Sequence, residues 1–95
     1  GDWSYINMRS ADLKGLNLKG IRFKNADLYG CNFEKADLRE ADLTHAVLSN
    51  AIFSGADLRN AKIEGIDIKN INLKGARMDI TQAVTVARAY GAIID

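Results

Sequence analysis

The chain has 95 residues, the size of one domain. Thirteen basic and twelve acidic residues leave a net charge of +1, so no bulk field draws the chain to nucleic acid or to a membrane surface. No apolar run is long enough to span a bilayer, and no signal-peptide pattern is present. A single cysteine excludes an internal disulfide, which fits a cytoplasmic location. The first residue is Gly rather than Met, which indicates a processed tag or a fragment of a longer protein.

A five-residue repeat continues without a break from Ile6 to Met78. Each unit has a large apolar central residue, an apolar residue two positions earlier (the inner position), a residue between these two (the outer position), and two corner residues after the centre. The outer residue is Asp or Asn in ten of the fifteen units, and the second corner residue is Gly or Asn in ten. The fifteen central residues are Met8, Leu13, Leu18, Phe23, Leu28, Phe33, Leu38, Leu43, Leu48, Phe53, Leu58, Ile63, Ile68, Leu73 and Met78.

This period excludes a helix, because the apolar stripe of a helix must return about every 3.6 residues. In an extended chain, positions two apart face the same way, so the inner and central residues point inward and the outer residue points to solvent. Gly or Asn then permits the backbone angles of a tight turn. Each unit is therefore one short side and one corner, and only stacked units can bury the apolar pairs. The sequence predicts an all-β solenoid with polar walls.

The A-(D/N)-L-x-x unit resembles the repeat of the pentapeptide-repeat proteins, and it covers about five-sixths of the chain. The resemblance implies a right-handed quadrilateral β-helix in which four units make one coil of twenty residues. Residues 1–78 then form a β-helix of about four coils, and residues 79–95 follow as a C-terminal module.

The N-terminal end carries larger inner residues than the middle of the chain. Trp3 falls in frame as a further central residue, and Ile6, Leu16 and Ile21 occupy positions where later units use Ala. One interpretation is that these side chains plug the first coil, which shields the exposed edge of the solenoid. The other is that residues 1–10 continue from further coils.

Basic residues recur after the centre, and in a coil of twenty residues Lys19, Arg39 and Arg59 stack on one face. Three cations at this spacing can bind an anion or a phosphate backbone. However, Asp37 and Asp57 lie on the same outward side, which favours ladders of neutralised charge. Solvated ladders of neutralised charge are thus the favoured interpretation, and the alternative is a surface that binds a partner, with nucleic acid as the weaker candidate.

Two outer positions, which are polar in every other unit, carry the apolar residues Val47 and Ile52. Tyr29 is an outward residue one coil away from Val47. Scattered exposed apolar residues are ordinary, and the alternative is a patch that binds a partner protein. His45 is a corner residue without a second ligand at metal-site spacing, so no metal or cofactor is predicted.

The pattern changes after Met78. Asp79 and Gln82 have the spacing of a capping box, helix-compatible residues continue to Tyr90, and Gly91 indicates the end of the helix. This helix is predicted to cover the open end of the solenoid, followed by a last apolar segment at residues 93–94.

The same region carries a narrower resemblance. The stretch NLKGARMD at residues 72–79, with Gln82-Ala83, Ala87, Gly91 and residues 93–94, is similar to the C-terminal end of the quinolone-resistance pentapeptide proteins of the Qnr and MfpA type. The resemblance implies that residues 79–95 are a capping and dimerisation module, whose helix and terminal strand pack across the two-fold axis of a homodimer. The candidate dimer residues are Val84, Ala87, Arg88, Tyr90, Ile93 and Ile94.

No nucleophile–base pair, phosphate loop or metal cluster is present, so the chain is predicted not to be an enzyme. The leading hypothesis is a cytoplasmic, homodimeric scaffold that binds an unidentified protein. The alternative, implied by the second resemblance, is a DNA-mimic protein that binds DNA gyrase or topoisomerase IV and protects it from quinolones. A third hypothesis is direct anion or nucleic-acid binding by the basic ladder.

Overall fold

The computed structural model covers residues 1–95 and places a corner at every fifth residue. Each second corner residue from Tyr5 to Gly75 has a positive φ, between 55° and 73°. The N–H of the residue after the corner donates to the carbonyl of the preceding central residue, as from Ala26 to Phe23 at 3.0 Å. Positive φ at the third residue of a turn is what lets the chain reverse direction so tightly. The corners predicted from Gly and Asn are therefore confirmed.

Twelve parallel β-bridges join the outer residues, and each bridge connects residues twenty positions apart. Four units therefore separate stacked positions, and we refer to residues 1–20, 21–40, 41–60 and 61–78 as the first to fourth coils. The outer residues form four ladders, which we call sides 1 to 4. Side 1 contains Asp2, Arg22, Asp42 and Lys62; side 2 contains Asn7, Asp27, Val47 and Asp67; side 3 contains Asp12, Asn32, Ile52 and Asn72; side 4 contains Asn17, Asp37, Asp57 and Arg77.

Backbone hydrogen bonds hold neighbouring coils together. The N–H of Asp27 donates to the first coil at the carbonyl of Ile6, over 2.8 Å, whereas the N–H of Leu28 donates to the third coil at the carbonyl of Val47, over 2.9 Å. The corner N–H groups also bond to the next coil, as from Gly30 to Ser49 at 2.9 Å. Each side contributes a single bridged residue, so the structure has isolated bridges and no continuous strand, because a corner follows after three residues.

The interior is one apolar cluster built from the central and inner residues. Central residues such as Leu28, Leu48 and Ile68 are buried, as predicted. Phe33 and Phe53, one coil apart, stack with ring centroids 5.2 Å apart and an interplanar angle of 6°. Such aromatic contacts add to the free energy gained by removing apolar surface from water.

Cys31 lies in the inner column, at a position that most units fill with Ala, and it is fully buried. Its Sγ–H donates to the Met8 carbonyl at 2.9 Å. Burial raises the pKa of this thiol, which is the setting of an inert cysteine.

One helix, α1 (Ile80–Ala89), follows the repeats. Its N-cap is Asp79, and the capping box with Gln82 is present. With ten residues, α1 is too short to cross a bilayer. The strand expected at the C-terminus is not formed within the single chain, since residues 92–95 make no β-bridge.

The N-terminal end is open. Trp3 and Leu16 are each 45% exposed, and with other apolar residues they line a hollow of about 300 Å³. The large side chains near this end therefore surround the hollow and leave it unfilled.

Replacement of one central residue tests the stacked interior. Leu43 is 0% exposed, so Leu43→Ala leaves a cavity and should lower the free energy of unfolding by about 2–5 kcal/mol. Lys62→Ala is the matched control, because Lys62 is exposed and contacts Leu43 through its backbone carbonyl. Urea unfolding monitored by circular dichroism measures both variants. Equal midpoints for the two would contradict the buried column.

Candidate interaction surfaces

The outer Asp and Asn side chains form hydrogen bonds with the backbone of their own repeat unit. Except for Asp67, each of them accepts a hydrogen bond from the N–H of the residue two positions later, over 2.9–3.2 Å. The side chain thus satisfies the first corner N–H, which has no other partner in the turn. The repeated Asp or Asn therefore stabilises the turn of its own unit, a role that the alternation of inward and outward positions does not predict.

The first predicted surface is a group of five charged residues that we call the charged corner: Lys19, Asp37, Arg39, Asp57 and Arg59. It lies where side 4 meets side 1. Arg39 Nη2 is 2.7 Å from Asp37 Oδ2, and Arg59 Nη2 is 2.6 Å from Asp57 Oδ2. Arg39 Nε also lies 4.0 Å from Asp57 Oδ2, which links the two coils. Lys19 Nζ is 3.5 Å from Glu40 Oε2. Each cation of the ladder is therefore paired with a carboxylate.

These contacts shift the carboxylate pKa values downward. The side-chain hydrogen bond from Arg39, followed by its backbone N–H, lowers the pKa of Asp37 from 3.8 to about 2. The side-chain hydrogen bond from Arg59 lowers the pKa of Asp57 in the same way. Both carboxylates therefore stay ionised at neutral pH, and the arginines that hold them cancel their charge toward solvent.

The second predicted surface lies around the corner where side 2 meets side 3, and we call Tyr29, Val47 and Ile52 the aromatic corner. The Tyr29 hydroxyl accepts a hydrogen bond from the Asn50 side-chain amide one coil below. Arg9 stacks over the same ring, with its Cζ 4.6 Å from the ring centroid. Val47 is half-buried within side 2, whereas Ile52 is 37% exposed.

The structure separates the two predicted groups. In a four-sided coil, the corner after side 2 and the corner after side 4 are diagonally opposite. A partner that docks on the aromatic corner therefore cannot cover the charged corner unless it wraps around the solenoid. The eight residues predicted for a partner surface form two surfaces.

The C-terminal end carries the predicted dimer residues. Val84 and Ala87 are half-buried on α1, and Arg88 is exposed. Tyr90, Ile93 and Ile94 are 53%, 88% and 40% exposed. The Tyr90 hydroxyl accepts a 3.4 Å hydrogen bond from the N–H of Ile71. Ile80, which was not predicted, is 84% exposed.

Gln82 has a second role that its capping-box spacing does not reveal. It is 2% exposed, and its Nε2 donates to the carbonyls of Leu58 and, over 2.8 Å, Ala61. Asp79 Oδ2 accepts a 2.9 Å hydrogen bond from the N–H of Asn60. The two capping residues thus satisfy backbone groups of the solenoid as well as those of the helix, and they fix α1 onto its end.

A shallow polar groove of about 480 Å³ lies beside this anchor, between residues 60–64 and the start of α1. No group of three His, Cys, Asp or Glu side chains in the chain could hold a metal ion.

The lowered pKa of Asp37 predicts a loss of stability in acid. Because the pKa is about 2 in the folded chain and near 3.8 in a model peptide, its contribution is fully present above pH ~4 and disappears as pH falls toward 2. Asp37→Asn keeps the oxygen that faces the Arg39 N–H but loses the charge. We therefore expect the difference in melting temperature between wild type and D37N to shrink from pH 5 to pH 2. Asp67→Asn is the control, since Asp67 accepts no such bond, and a difference of constant size for D37N would contradict the ion pair.

A family model for pentapeptide repeats, with eight copies, matches residues 6–44 and 36–75. The chain matches no curated protein. Among solved structures, it is similar to HetL, a pentapeptide repeat protein involved in heterocyst differentiation regulation from the cyanobacterium Nostoc sp. strain PCC 7120. The identity is 35% and the TM-score 0.77, over 81% of this chain and 36% of HetL.

Rfr23, a pentapeptide repeat protein from the cyanobacterium Cyanothece 51142, is 29% identical with a TM-score of 0.65, over 82% of this chain and 54% of Rfr23. QnrB1, a plasmid-mediated fluoroquinolone resistance protein, shares the fold at 24% identity and a TM-score of 0.63, over 99% of this chain and 42% of QnrB1. The chain thus spans between about a third and about half of these structures. The chain belongs to the pentapeptide-repeat family, whose fold is a right-handed quadrilateral β-helix.

Proposed function

We propose that the chain is a non-catalytic, cytoplasmic interaction scaffold of about four coils that forms a homodimer through its C-terminal module and binds a protein partner on its outer walls. The observation that carries the proposal is the exposure of large apolar residues at one end. Ile80 is 84% exposed and Ile93 is 88% exposed, and Tyr90 and Ile94, which lie close to Ile93 in the sequence, are 53% and 40% exposed.

A dimer would bury these exposed apolar side chains. Isolated apolar residues at a surface are ordinary, but several that share one end of a small domain favour an interface. A two-fold axis through this end would use the same patch on both copies. The half-burial of Val84 and Ala87 supports this geometry, because both side chains keep apolar surface on α1 that a partner could cover.

For the partner protein, the aromatic corner is a better surface than the charged corner. The charged side chains already satisfy one another, so a partner would have to replace intramolecular ion pairs with intermolecular ones. Tyr29 is held by Asn50 and Arg9, which reduces the entropy lost on binding, and Ile52 offers exposed apolar surface nearby. A rigid tyrosine beside apolar surface is typical of interface cores.

The dimer is tested by a charge at its centre. Ile93→Lys should convert a dimer into a monomer in sedimentation velocity, because a buried lysine would lack a partner. The melting temperature at low concentration should stay unchanged, since Ile93 is 88% exposed in the single chain. Ile52→Lys, an exposed isoleucine on an outer wall, is the matched control for self-association. A wild-type protein that remains monomeric at high concentration would remove the proposed dimer.

A second candidate function is protection of a type II topoisomerase from quinolones. The observation that favours it is the extent of the similarity: the match to the fluoroquinolone resistance protein covers 99% of this chain and so includes α1, whereas the two cyanobacterial matches cover 81% and 82%. DNA mimicry needs an acidic surface, however, and the Asp37–Asp57 strip is neutralised by its arginines.

This second candidate predicts that micromolar chain preserves gyrase supercoiling in the presence of a quinolone. Removal of the two arginines, in R39Q/R59Q, exposes the carboxylates of side 4 and should strengthen the effect if charge mimicry is the mechanism. I93K separates the requirement for a dimer from the requirement for the acidic strip. Unchanged quinolone inhibition with a chain that dimerises normally would exclude this candidate and leave the scaffold proposal standing.

A further inference from the structure

Side 3 is the one side whose outer residues carry no charge in the second to fourth coils. They are Asn32, Ile52 and Asn72, whereas each of the other three sides has at least two charged outer residues in the same coils. The corner residues next to Ile52, Asn50 and Ser54, are uncharged as well. We call these five residues the neutral wall. Ile52 is 37% exposed at its centre, and an exposed apolar residue in uncharged surroundings is typical of the core of a protein–protein interface.

The outer asparagines of the neutral wall present hydrogen-bond donors to solvent. Asn32 Oδ1 accepts from the Glu34 N–H over 2.9 Å. Asn72 Oδ1 accepts from the Lys74 N–H over 3.0 Å. The oxygen of each amide is therefore held against its own turn, and neither NH2 group donates within the chain. An Asp at the same position would present a second carboxylate oxygen in place of the NH2 group, so the neutral wall requires acceptors from a partner.

Two exposed lysines border the neutral wall at its corner with side 4. Neither Lys35 nor Lys74 takes part in any of the six ion pairs of the chain. Glu34, which precedes Lys35, is paired with Lys14 instead. The Lys35 side chain lies against Gly55 of the third coil, with its Cγ 3.2 Å from the position that a Cβ of residue 55 would take. Both positive charges can therefore meet carboxylates of a partner.

The carboxylates nearest the neutral wall lie at its margins. Asp12 continues side 3 on the first coil. Asp67 lies on side 2, two positions before Lys69, and the charges of these two residues sum to zero. The positive end of the wall is therefore the fourth coil, so an acidic partner has a preferred direction, with its carboxylates near Asn72 and Lys74.

The neutral wall has the size of a contact with a short segment. The two shorter dimensions of the molecule are 24 and 22 Å. Three coils at a spacing of about 4.8 Å are roughly 14 Å high. The wall therefore measures at most roughly 300 Å², well below the ~800 Å² per partner of a standard interface. Such an area favours a short segment of a partner protein over a folded domain.

Other occupants fit this surface less well. Two neutral walls face to face would bring NH2 groups to NH2 groups and lysines to lysines, without an acceptor on either side. A nucleic acid supplies phosphate oxygens, but two unpaired lysines release few counterions and give little affinity. A protein segment with carboxylates on either side of an apolar residue supplies the acceptors, the negative charge and the apolar surface.

From the unpaired donors, the two lysines and the exposed isoleucine, we propose that the neutral wall binds a short acidic protein segment. An apolar side chain of the segment covers Ile52, and its carboxylates accept hydrogen bonds from Asn72 and Lys74. This binding rests on the proposed scaffold function and gives the partner its chemistry. Asn50 joins the neutral wall to the aromatic corner, because its side-chain amide donates to the Tyr29 hydroxyl.

Synthetic peptides test the proposal. The probe is an octapeptide with one central Leu between glutamates, in a Gly–Ser background with blocked ends. Two matched probes replace the glutamates by Gln or the Leu by Ser. In proton–nitrogen correlation spectra of the isotope-labelled chain, we expect the acidic peptide to shift the side-chain NH2 signals of Asn32 and Asn72. The Gln and Ser forms should bind at least about tenfold more weakly, because each lacks one of the two complementary features.

Asn72→Asp is the sharpest variant, because it keeps the oxygen that accepts from the Lys74 N–H and replaces only the NH2 donor by a carboxylate oxygen. We expect the affinity for the acidic peptide to fall at least about tenfold at low salt. Asn17→Asp is the matched control, since it makes the same change on side 4, where Asn17 Oδ1 accepts from the Lys19 N–H. It should leave the affinity unchanged. Ile52→Asn should reduce the affinity for the Leu form to that for the Ser form.

The outcomes separate this binding from the scaffold function. Shifts at Tyr29 and Val47 with equal affinity for the Glu and Gln peptides would overturn the acidic chemistry and leave the aromatic corner as the partner surface. An equal loss of affinity in N72D and N17D would show a response to net charge alone and would overturn the assigned wall.

The remaining occupants have their own signatures. Tighter binding of a single-stranded oligonucleotide than of the acidic peptide would identify a nucleic acid, and shifts of the wall signals on raising the concentration of the chain alone would identify a second copy. Either result would overturn the proposal. Absence of any shift at millimolar peptide would also overturn it, whereas the homodimer of the scaffold is tested independently by I93K.

Discussion

The structure depends on the repeated left-handed corner. Hydrogen bonds between coils require residues twenty apart to stay in register, and this register holds only if every fifth residue turns the chain by the same amount. Five corners achieve this without Gly or Asn: Tyr5, Ser10, Lys35, Glu40 and His45 all have positive φ. A positive φ costs such residues about 1–2 kcal/mol. Burial of the apolar residues and the hydrogen bonds between coils offset this conformational free energy. Stacking therefore overrides the preference of these residues for negative φ.

The outer Asp residues show how the fold constrains function. Their carboxylates accept a hydrogen bond from the N–H of the first corner residue. At the charged corner they also accept hydrogen bonds from the arginine side chains. Such a carboxylate contributes little electrostatic potential toward solvent, because the adjacent arginine neutralises its charge and its oxygens already accept hydrogen bonds. Surfaces for recognition are therefore expected where the repeat is broken, at Val47 and Ile52, and at the C-terminal end.

The two ends of the solenoid differ in how their backbone groups and apolar core are covered. A stack of coils always finishes in unpaired backbone and exposed core. At the C-terminal end, Gln82 and Asp79 bond to backbone groups of the last coils while α1 covers apolar surface. At the N-terminal end, the hollow beside Trp3 and Leu16 stays open, and the outer groups of the first coil have no partner in the chain.

The sequence by itself determined the solenoid, its corners, its buried columns and the start of the helix, because a five-residue period allows only one alternation of inward and outward positions. It did not determine that Gln82 anchors α1 to Leu58 and Ala61, since those carbonyls are distant in sequence and become neighbours only after the coils stack. Nor could it divide the predicted partner residues into two opposite corners. The tertiary structure likewise decided the ion pairs from Arg39 to Asp57 and from Lys19 to Glu40, and the open hollow, because these depend on which side chains meet across coils rather than along the chain.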